Sequence, residues 1–152
     1  MSDLDHILIA TDGSEQAAKA AAFGGDLARA VNARVTIISV LDDQLVVPLA
    51  WQSIDFRDDV SSVDTARASI EQHTESTALR NAVDVIGQLS ESAAQVQVWG
   101  HPATQICDFA AEHAVDLIVI GSHGRSAIKA ALLGSVSMAV VNRAPCAVTV
   151  VR

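Results

Sequence analysis

The plainest strand signal in the sequence is Asp116-Leu117-Ile118-Val119-Ile120-Gly121, a short apolar run that leads directly into the loop Ser122-His123-Gly124. Four bulky apolar residues in a row, bounded by a charged residue and a glycine, predict a buried strand. The apolar content is continuous rather than alternating. This is typical of a strand in a parallel sheet that helices cover on both faces.

Similar apolar segments occur elsewhere in the chain and predict four more strands: His6–Ala10, Val35–Leu41, Val96–Trp99 and Ala147–Val151. Between the strands, the sequence predicts helices from Ser14 to about Asn32, from about Val63 to Leu89, from Pro102 onward, and up to Arg143. In the first helix, the spacing of Ala20, Phe23, Leu27 and Val31 predicts that these residues form the apolar face. Residues 42–62 show no clear periodicity, and we interpret them as a lid or a partner surface.

Five strands alternating with helices predict the fold class α/β, with residues 1–152 forming a single domain. The expected architecture is an open, mainly parallel five-stranded sheet with helices on both faces and right-handed crossovers. In such sheets, ligands bind beyond the carboxyl ends of the strands, where the winding direction reverses. If the first and fourth strands are neighbours, the loops Thr11–Ser14 and Gly121–Gly124 face one crevice.

Composition and charge exclude several classes of protein. The longest apolar runs are far shorter than the roughly 20 residues that span a bilayer, so we expect no membrane insertion. The acidic start of the chain does not look like a secretory signal, which predicts a cytoplasmic protein. A net charge of −8 argues against nucleic acid as a partner, because the phosphate backbone is repelled.

The cysteines and histidines do not have the spacing of a metal site or a disulfide framework. We interpret Cys107 and Cys146 as buried small hydrophobic residues. Four histidines are interpreted as surface or turn residues: His6, His73, His101 and His113.

The loop after the fourth strand carries the chemistry. Its glycines are Gly121, Gly124 and Gly134, and Ser135 and Ser137 follow, so the spacing is G-x2-G-x9-G-S. Glycines allow backbone amides to approach an anion closely, and hydroxyls beside a helix N-terminus add donors for phosphate oxygens. The pattern suits a polyphosphate, although it is neither a P-loop nor a dinucleotide fingerprint.

With these residues the chain resembles the universal stress protein family, and in particular its ATP-binding branch, whose hallmark is the G-x2-G-x9-G-[S/T] spacing. The resemblance extends over essentially the whole chain and rests on four segments: Ile7–Ser14, Gly100–Ala103, Asp116–Ser126 and Ala144–Val148. Ala127 stands where the family often has glycine. The resemblance implies ATP as the ligand, with AMP or another adenine nucleotide as the alternative, and Mg²⁺ or Mn²⁺ bound through the phosphates.

The resemblance also implies a role for each residue of the site. Asp12, in the loop that begins with Thr11, contacts the ribose, and Val40 contacts the adenine. The ribose and α-phosphate are lined by Gly121, His123 and Gly124, and the phosphates are held by Gly134, Ser135, Val136 and Ser137. From the residues alone, Arg125 and Lys129 can be solvated or can screen phosphate charge. From the residues alone, Asp12 can equally be a turn or helix-cap residue.

The sequence shows no catalytic motif, so we assign no catalytic or metal-ligating residue. We expect a nucleotide-dependent switch that an unknown client protein reads, with at most weak ATP hydrolysis or self-phosphorylation. The alternatives are a dimeric scaffold that binds no nucleotide, and an enzyme that hydrolyses nucleotides or transfers adenylate. Since the strand Ala147–Val151 is apolar and terminal, we expect it at a sheet edge that pairs with a second copy of the chain.

Overall fold

The computed structural model describes residues 4–42, 68, 77–124 and 133–152 of the chain. Its central feature is a sheet of five parallel strands. The strands are β1 His6–Ala10, β2 Arg34–Leu41, β3 Ala94–Trp99, β4 Leu117–Gly121 and β5 Ala147–Val151. The helices are α1 Glu15–Val31, α2 at residues 77–86, α3 Pro102–Glu112 and α4 Ser135–Arg143, and a 3-10 turn, Gly87–Glu91, follows α2. This confirms the predicted α/β fold class.

The order of the strands is β3-β2-β1-β4-β5. Ile7 of β1 lies opposite Val35 of β2 on one side and opposite Leu117 of β4 on the other. The chain therefore moves outward from β1 to β3 and then crosses back to β4. The winding direction reverses between β1 and β4, which are neighbours, and this is the condition under which the loops after them face one crevice.

The core has two layers, because successive side chains of a strand point to opposite faces of the sheet. Ile7 and Ile9 of β1 pack with α1 and α2, whereas Leu8 and Ala10 pack with α3 and α4. All five residues of β1 and all five of β4 are buried. The apolar pattern of these strands is continuous because helices cover both faces of the sheet.

Helix α1 packs with only part of the predicted face: Ala20 is buried and Leu27 packs against the core, but Phe23 and Val31 do not. Its buried residues are small, namely Ala17, Ala20, Ala21, Gly24, Gly25 and Ala28. Phe23 and Val31, which we expected in the core, are each 44% exposed. The reason is a close approach: a Cβ on Gly24 would lie 2.8 Å from Ile9 Cδ1, so only a small residue fits between helix and sheet.

The ends of the helices follow local chemistry. Ser14 Oγ accepts a hydrogen bond from the Ala17 amide at 3.2 Å, and Asn32 ends α1 in a left-handed conformation with φ 57°. Both ends were predicted. The second predicted helix was expected to reach Leu89, but its α-helical part ends at residue 86, because Gly87 adopts φ +59° and a 3-10 turn follows. Residues 63–67, 69–76 and the 43–62 part of the connection lie outside the described residues.

Within the described ranges, no helix is both long and apolar enough to cross a membrane.

Candidate functional site

The candidate site is formed where the loops that follow β1 and β4 meet. These strands are neighbours and parallel, so their loops leave the same edge of the sheet. A Cβ built on Gly124 would lie 2.7 Å from Asp12 Oδ2, which places the Asp12 carboxylate directly against the second loop. The two loops, which we expected to share a crevice if β1 and β4 were neighbours, are therefore in contact.

The loop after β1 is held by its own side chains. Thr11 is buried, and its amide donates to Ile38 O at 2.9 Å, while its Oγ1 accepts from the Gly13 amide at 3.2 Å. Asp12 Oδ1 accepts from the Ser14 amide at 2.9 Å, and Gly13 turns the chain with φ 79°. The turn and helix-cap role predicted for this loop is thereby confirmed, and the same turn presents Asp12 to Gly124.

The loop after β4 begins against the first turn of α1. A Cβ on Gly121 would lie 2.8 Å from the backbone carbon of Gln16, so a side chain at this position collides with the helix. The Ser122 amide donates to Val151 O at 2.7 Å, which fastens the loop to the end of β5. The loop therefore has a rigid base between α1 and β5.

The N-terminus of α4 is joined to this loop by two short hydrogen bonds. The Gly134 amide donates to Ser122 O, and the Ser137 hydroxyl donates to Gly121 O, both at 2.7 Å. A Cβ on Gly134 would lie 3.4 Å from His123 Cα, so the two glycine segments of the motif are in contact. Gly124 and Gly134 are thus adjacent in space, although nine residues separate them in the sequence.

Helix α4 begins in a way that leaves donors for an anion. Gly134 precedes its first turn and has no side chain, and no side-chain hydrogen bond caps the helix. The first-turn amides of a helix lack partners within the helix, and the helix dipole adds partial positive charge there. The amides of Ser135, Val136 and Ser137 belong to that turn.

Two side chains at the site are engaged with the protein itself. The buried Ser137 hydroxyl donates its only proton to Gly121 O, so in this arrangement its backbone amide is the donor that remains for a ligand. His123 Nδ1 lies 2.9 Å from Ser122 Oγ. His123 Nε2 is enclosed and has no hydrogen-bond partner among residues 4–42, 77–124 and 133–152.

The structure brings together most of the predicted site: Thr11, Asp12, Gly121, His123, Gly124, Gly134, Ser135, Val136 and Ser137. Val40 lies in β2, on the other side of β1, opposite Val98 of β3 and packed against the core on the α3 side. Arg125 lies outside the described residues.

Sequence reasoning placed His6 wrongly. It was expected at the surface or in a turn, but it is 4% exposed, because it is the first residue of β1 and points to the same face as Leu8. The signal was its position two residues before Leu8 in a strand buried on both faces. Burial lowers the pKa of its imidazole below the usual 6.5.

We expected both cysteines to be buried, and the structure confirms this for one of them. Cys107 is buried as predicted, whereas Cys146 is only partly buried. Burial raises the pKa of both thiols, so each stays protonated at neutral pH. Among the residues that the structure describes, no three histidine, cysteine or acidic side chains are grouped to hold a metal ion.

The fold and the site together define a parallel α/β protein with a glycine-lined, amide-rich site at the point where the winding of the sheet reverses. The sequence profile of the universal stress protein family matches residues 4–152, and this chain belongs to that family. Universal stress protein YxiE of Bacillus subtilis is 32% identical over 146 residues, which cover 96% of this chain and 97% of that protein.

Solved structures show the same fold. The protein MJ0577 superposes with a TM-score of 0.78 at 22% identity, covering 99% of this chain and 96% of that one. A universal stress protein whose crystal structure is a complex with cAMP has a TM-score of 0.66 at 25% identity, covering 99% of this chain and 98% of that one.

Proposed function

We propose that this protein binds an adenine nucleotide at the junction of the loops after β1 and β4, and that ATP is the ligand. In the cytoplasm it acts as a nucleotide-dependent switch of the stress response, read by a client protein. The observation that carries the proposal is the junction itself, where the Asp12 carboxylate meets Gly124 and the Gly134 amide binds Ser122 O. The relative that holds cAMP supports it, since an adenine nucleotide occupies a protein of the same fold and family.

The phosphates need local positive charge, because the chain as a whole carries −8. We assign this role to the first-turn amides of α4, at Ser135, Val136 and Ser137, with the exposed Ser135 hydroxyl as a further donor. Mg²⁺ or Mn²⁺ arrives with the phosphates and offsets part of their charge. The donors of the chain fit this arrangement, since the site offers amides and hydroxyls rather than a set of metal ligands.

The rest of the nucleotide is assigned by position. Asp12 stands at the junction, where a carboxylate accepts hydrogen bonds from ribose hydroxyls. Gly121, His123 and Gly124 supply the backbone beside the ribose and α-phosphate, and Val40 supplies an apolar contact for the adenine. Arg125, next in the motif, is proposed to offset phosphate charge.

Calorimetric titration with ATP and Mg²⁺ tests the proposal. We expect binding in the micromolar range for the parent, and at least about tenfold weaker binding for Gly124→Ala, because the new Cβ displaces the Asp12 carboxylate. Gly87→Ala is the matched control: its Cβ would meet nothing within 4 Å, and the residue lies in the turn before β3. It should bind ATP as the parent does.

Two outcomes contradict the proposal. Absence of ATP binding by the folded parent favours the dimeric scaffold, and equal binding by parent and Gly124→Ala places the site elsewhere.

Recovery of the nucleotide after hours at 25 °C separates a switch from an enzyme. Intact ATP supports the switch, whereas steady release of ADP or AMP supports slow hydrolysis.

We also propose that the protein is a homodimer joined through β5. The order of the strands places β5 at an edge of the sheet, as predicted. Exposed apolar side chains occur on both helices that contact β5, namely Phe23 and Val31 on α1 and Met138 and Val141 on α4. A bare apolar edge with such neighbours is a surface that proteins normally cover.

Sedimentation velocity at tens of micromolar tests the dimer. Val141→Asp places a negative charge on α4, which contacts β5, in both copies, so we expect like-charge repulsion to shift the protein toward the monomer. Val85→Asp is the matched control, because Val85 is 40% exposed, close to the 44% of Val141, but lies on α2 between β2 and β3 in the chain. A monomeric parent, or equal dissociation of both variants, would contradict the proposal.

A further inference from the structure

A second cluster of titratable groups lies at the amino end of the sheet, opposite the candidate nucleotide site. Its centre is the buried His6, whose Nδ1 is 3.2 Å from His113 O and whose Nε2 is 2.9 Å from Thr36 Oγ1. A carbonyl oxygen can only accept, so Nδ1 carries the proton. In the neutral ring Nε2 then accepts from the Thr36 hydroxyl, and the side chain links β1 to β2 and to the end of α3.

The backbone of His6 holds the same turn from the other side. Its amide donates to Asp116 Oδ2 at 2.9 Å, and its carbonyl accepts from the Asp116 amide at 3.0 Å. The turn at residues 113–116 includes Ala114 with φ 48°, a left-handed conformation that is unfavourable for alanine. The turn therefore keeps a strained conformation while His6 fastens it at both of its ends.

We propose that His6 is a pH-sensitive latch, which in its neutral form fastens the 113–116 turn to β1 and β2 and, once protonated, loosens this end of the sheet. A second proton on the ring must sit on Nε2, and among the residues that the structure describes the acceptor beside Nε2 is the Thr36 hydroxyl. The Thr36 hydroxyl then has to rotate, because it can no longer donate a hydrogen bond to Nε2. The added positive charge is enclosed in a side chain with almost no contact with water.

The charged neighbours act in both directions. Burial is the largest influence and lowers the pKa of His6; Arg34 of β2 and His113 after α3 act in the same direction. The hydrogen bond to the His113 carbonyl and the Asp116 carboxylate, before β4, raise it. Arg34 Nη2 also lies 3.4 Å from His113 O, so two donors approach one carbonyl. The balance of these influences favours the neutral ring in the folded protein.

The sign of the pH dependence follows from this balance. The unfolded chain binds a proton near pH 6.5, and the folded chain does so only at lower pH, so acid favours unfolding. The contribution of His6 to stability is fully present above pH 6.5 and is lost as the pH falls through the folded-state pKa. Each unit by which that pKa lies below 6.5 changes the folding equilibrium about tenfold.

The test combines urea unfolding of the nucleotide-free protein between pH 8 and pH 5 with an NMR titration of the His6 ring. We expect the unfolding midpoint of the parent to fall more over this range than that of His6→Asn, whose amide still donates to His113 O but does not titrate. His101→Asn is the matched control, since His101 is exposed and its side chain does not cap α3. It should behave like the parent.

Either of two results overturns the latch: a His6 ring that titrates at 6.5 or above in the folded protein, or equal pH dependence in the parent and His6→Asn. If His6→Asn does not fold, Thr36→Val replaces it, because loss of the hydroxyl acceptor should lower the pKa of His6 further. An unchanged pKa in Thr36→Val contradicts the latch. Amide exchange of Asp116, corrected for its intrinsic pH dependence, should accelerate in acid in the parent.

Discussion

The two ends of the sheet are built on opposite principles. At the amino end, His6, Thr36 and Asp116 bind one another and the turn at residues 113–116. At the carboxyl end, the contacts are made mainly by the backbone: glycines allow the loops to lie close together, and no side chain caps the first turn of α4. One end therefore satisfies its polar groups internally, whereas the other leaves oriented amides at its surface, as anion sites require.

The largest effect should come from filling the close contact at the carboxyl end. Gly121→Ala places a Cβ 2.8 Å from the backbone of Gln16, which cannot move without shifting α1. We expect a loss of about 3 kcal/mol in the free energy of unfolding, measured by urea denaturation. Gly87→Ala, with open space but φ +59°, should cost only about 1 kcal/mol. Equal costs would show that α1 does not rest rigidly on β4.

A smaller effect should come from the amino end. Asp116→Ala removes the oxygen that accepts from the Asp5 and His6 amides at 3.0 and 2.9 Å, and we expect a loss of about 2 kcal/mol. Asp116→Asn retains an amide oxygen at this position and should cost less. The same urea series measures both variants. If alanine and asparagine prove equally harmless, side-chain bonding does not hold this end, and the contrast between the two ends fails.

The sequence predicted the strands and the caps of α1 for one reason: each depends on local chemistry or on a pattern that repeats along the chain. The apolar run before Gly121 requires cover on both faces wherever the strand lies. Ser14 and Asn32 define helix ends through bonds and conformations within a few residues. The contact between the two loops depends on β1 and β4 being neighbours, which the sequence left open and the strand order of the sheet decides.

The predictions that failed concern packing between distant parts of the chain. Phe23 and Val31 have the spacing of a core face, but the position of Gly24 against Ile9 turns the small residues of α1 inward. His6 is polar, yet its place in a doubly covered strand buries it, and its acceptors come from residues 36 and 113. The contact between Gly24 and Ile9 and the hydrogen bonds of His6 side-chain atoms join residues that are far apart in the chain, so no local sequence pattern predicts them.

The candidate site shows the same division. The spacing of Gly121, Gly124 and Gly134 was readable from the chain, because glycine marks where backbone must come close. Only the tertiary structure showed that the Ser137 hydroxyl already donates a hydrogen bond to Gly121 O and that the Asp12 carboxylate lies against Gly124. A sequence specifies which groups are available for bonding, whereas the fold decides which of them are already used, since that depends on groups that meet only after the chain has closed on itself.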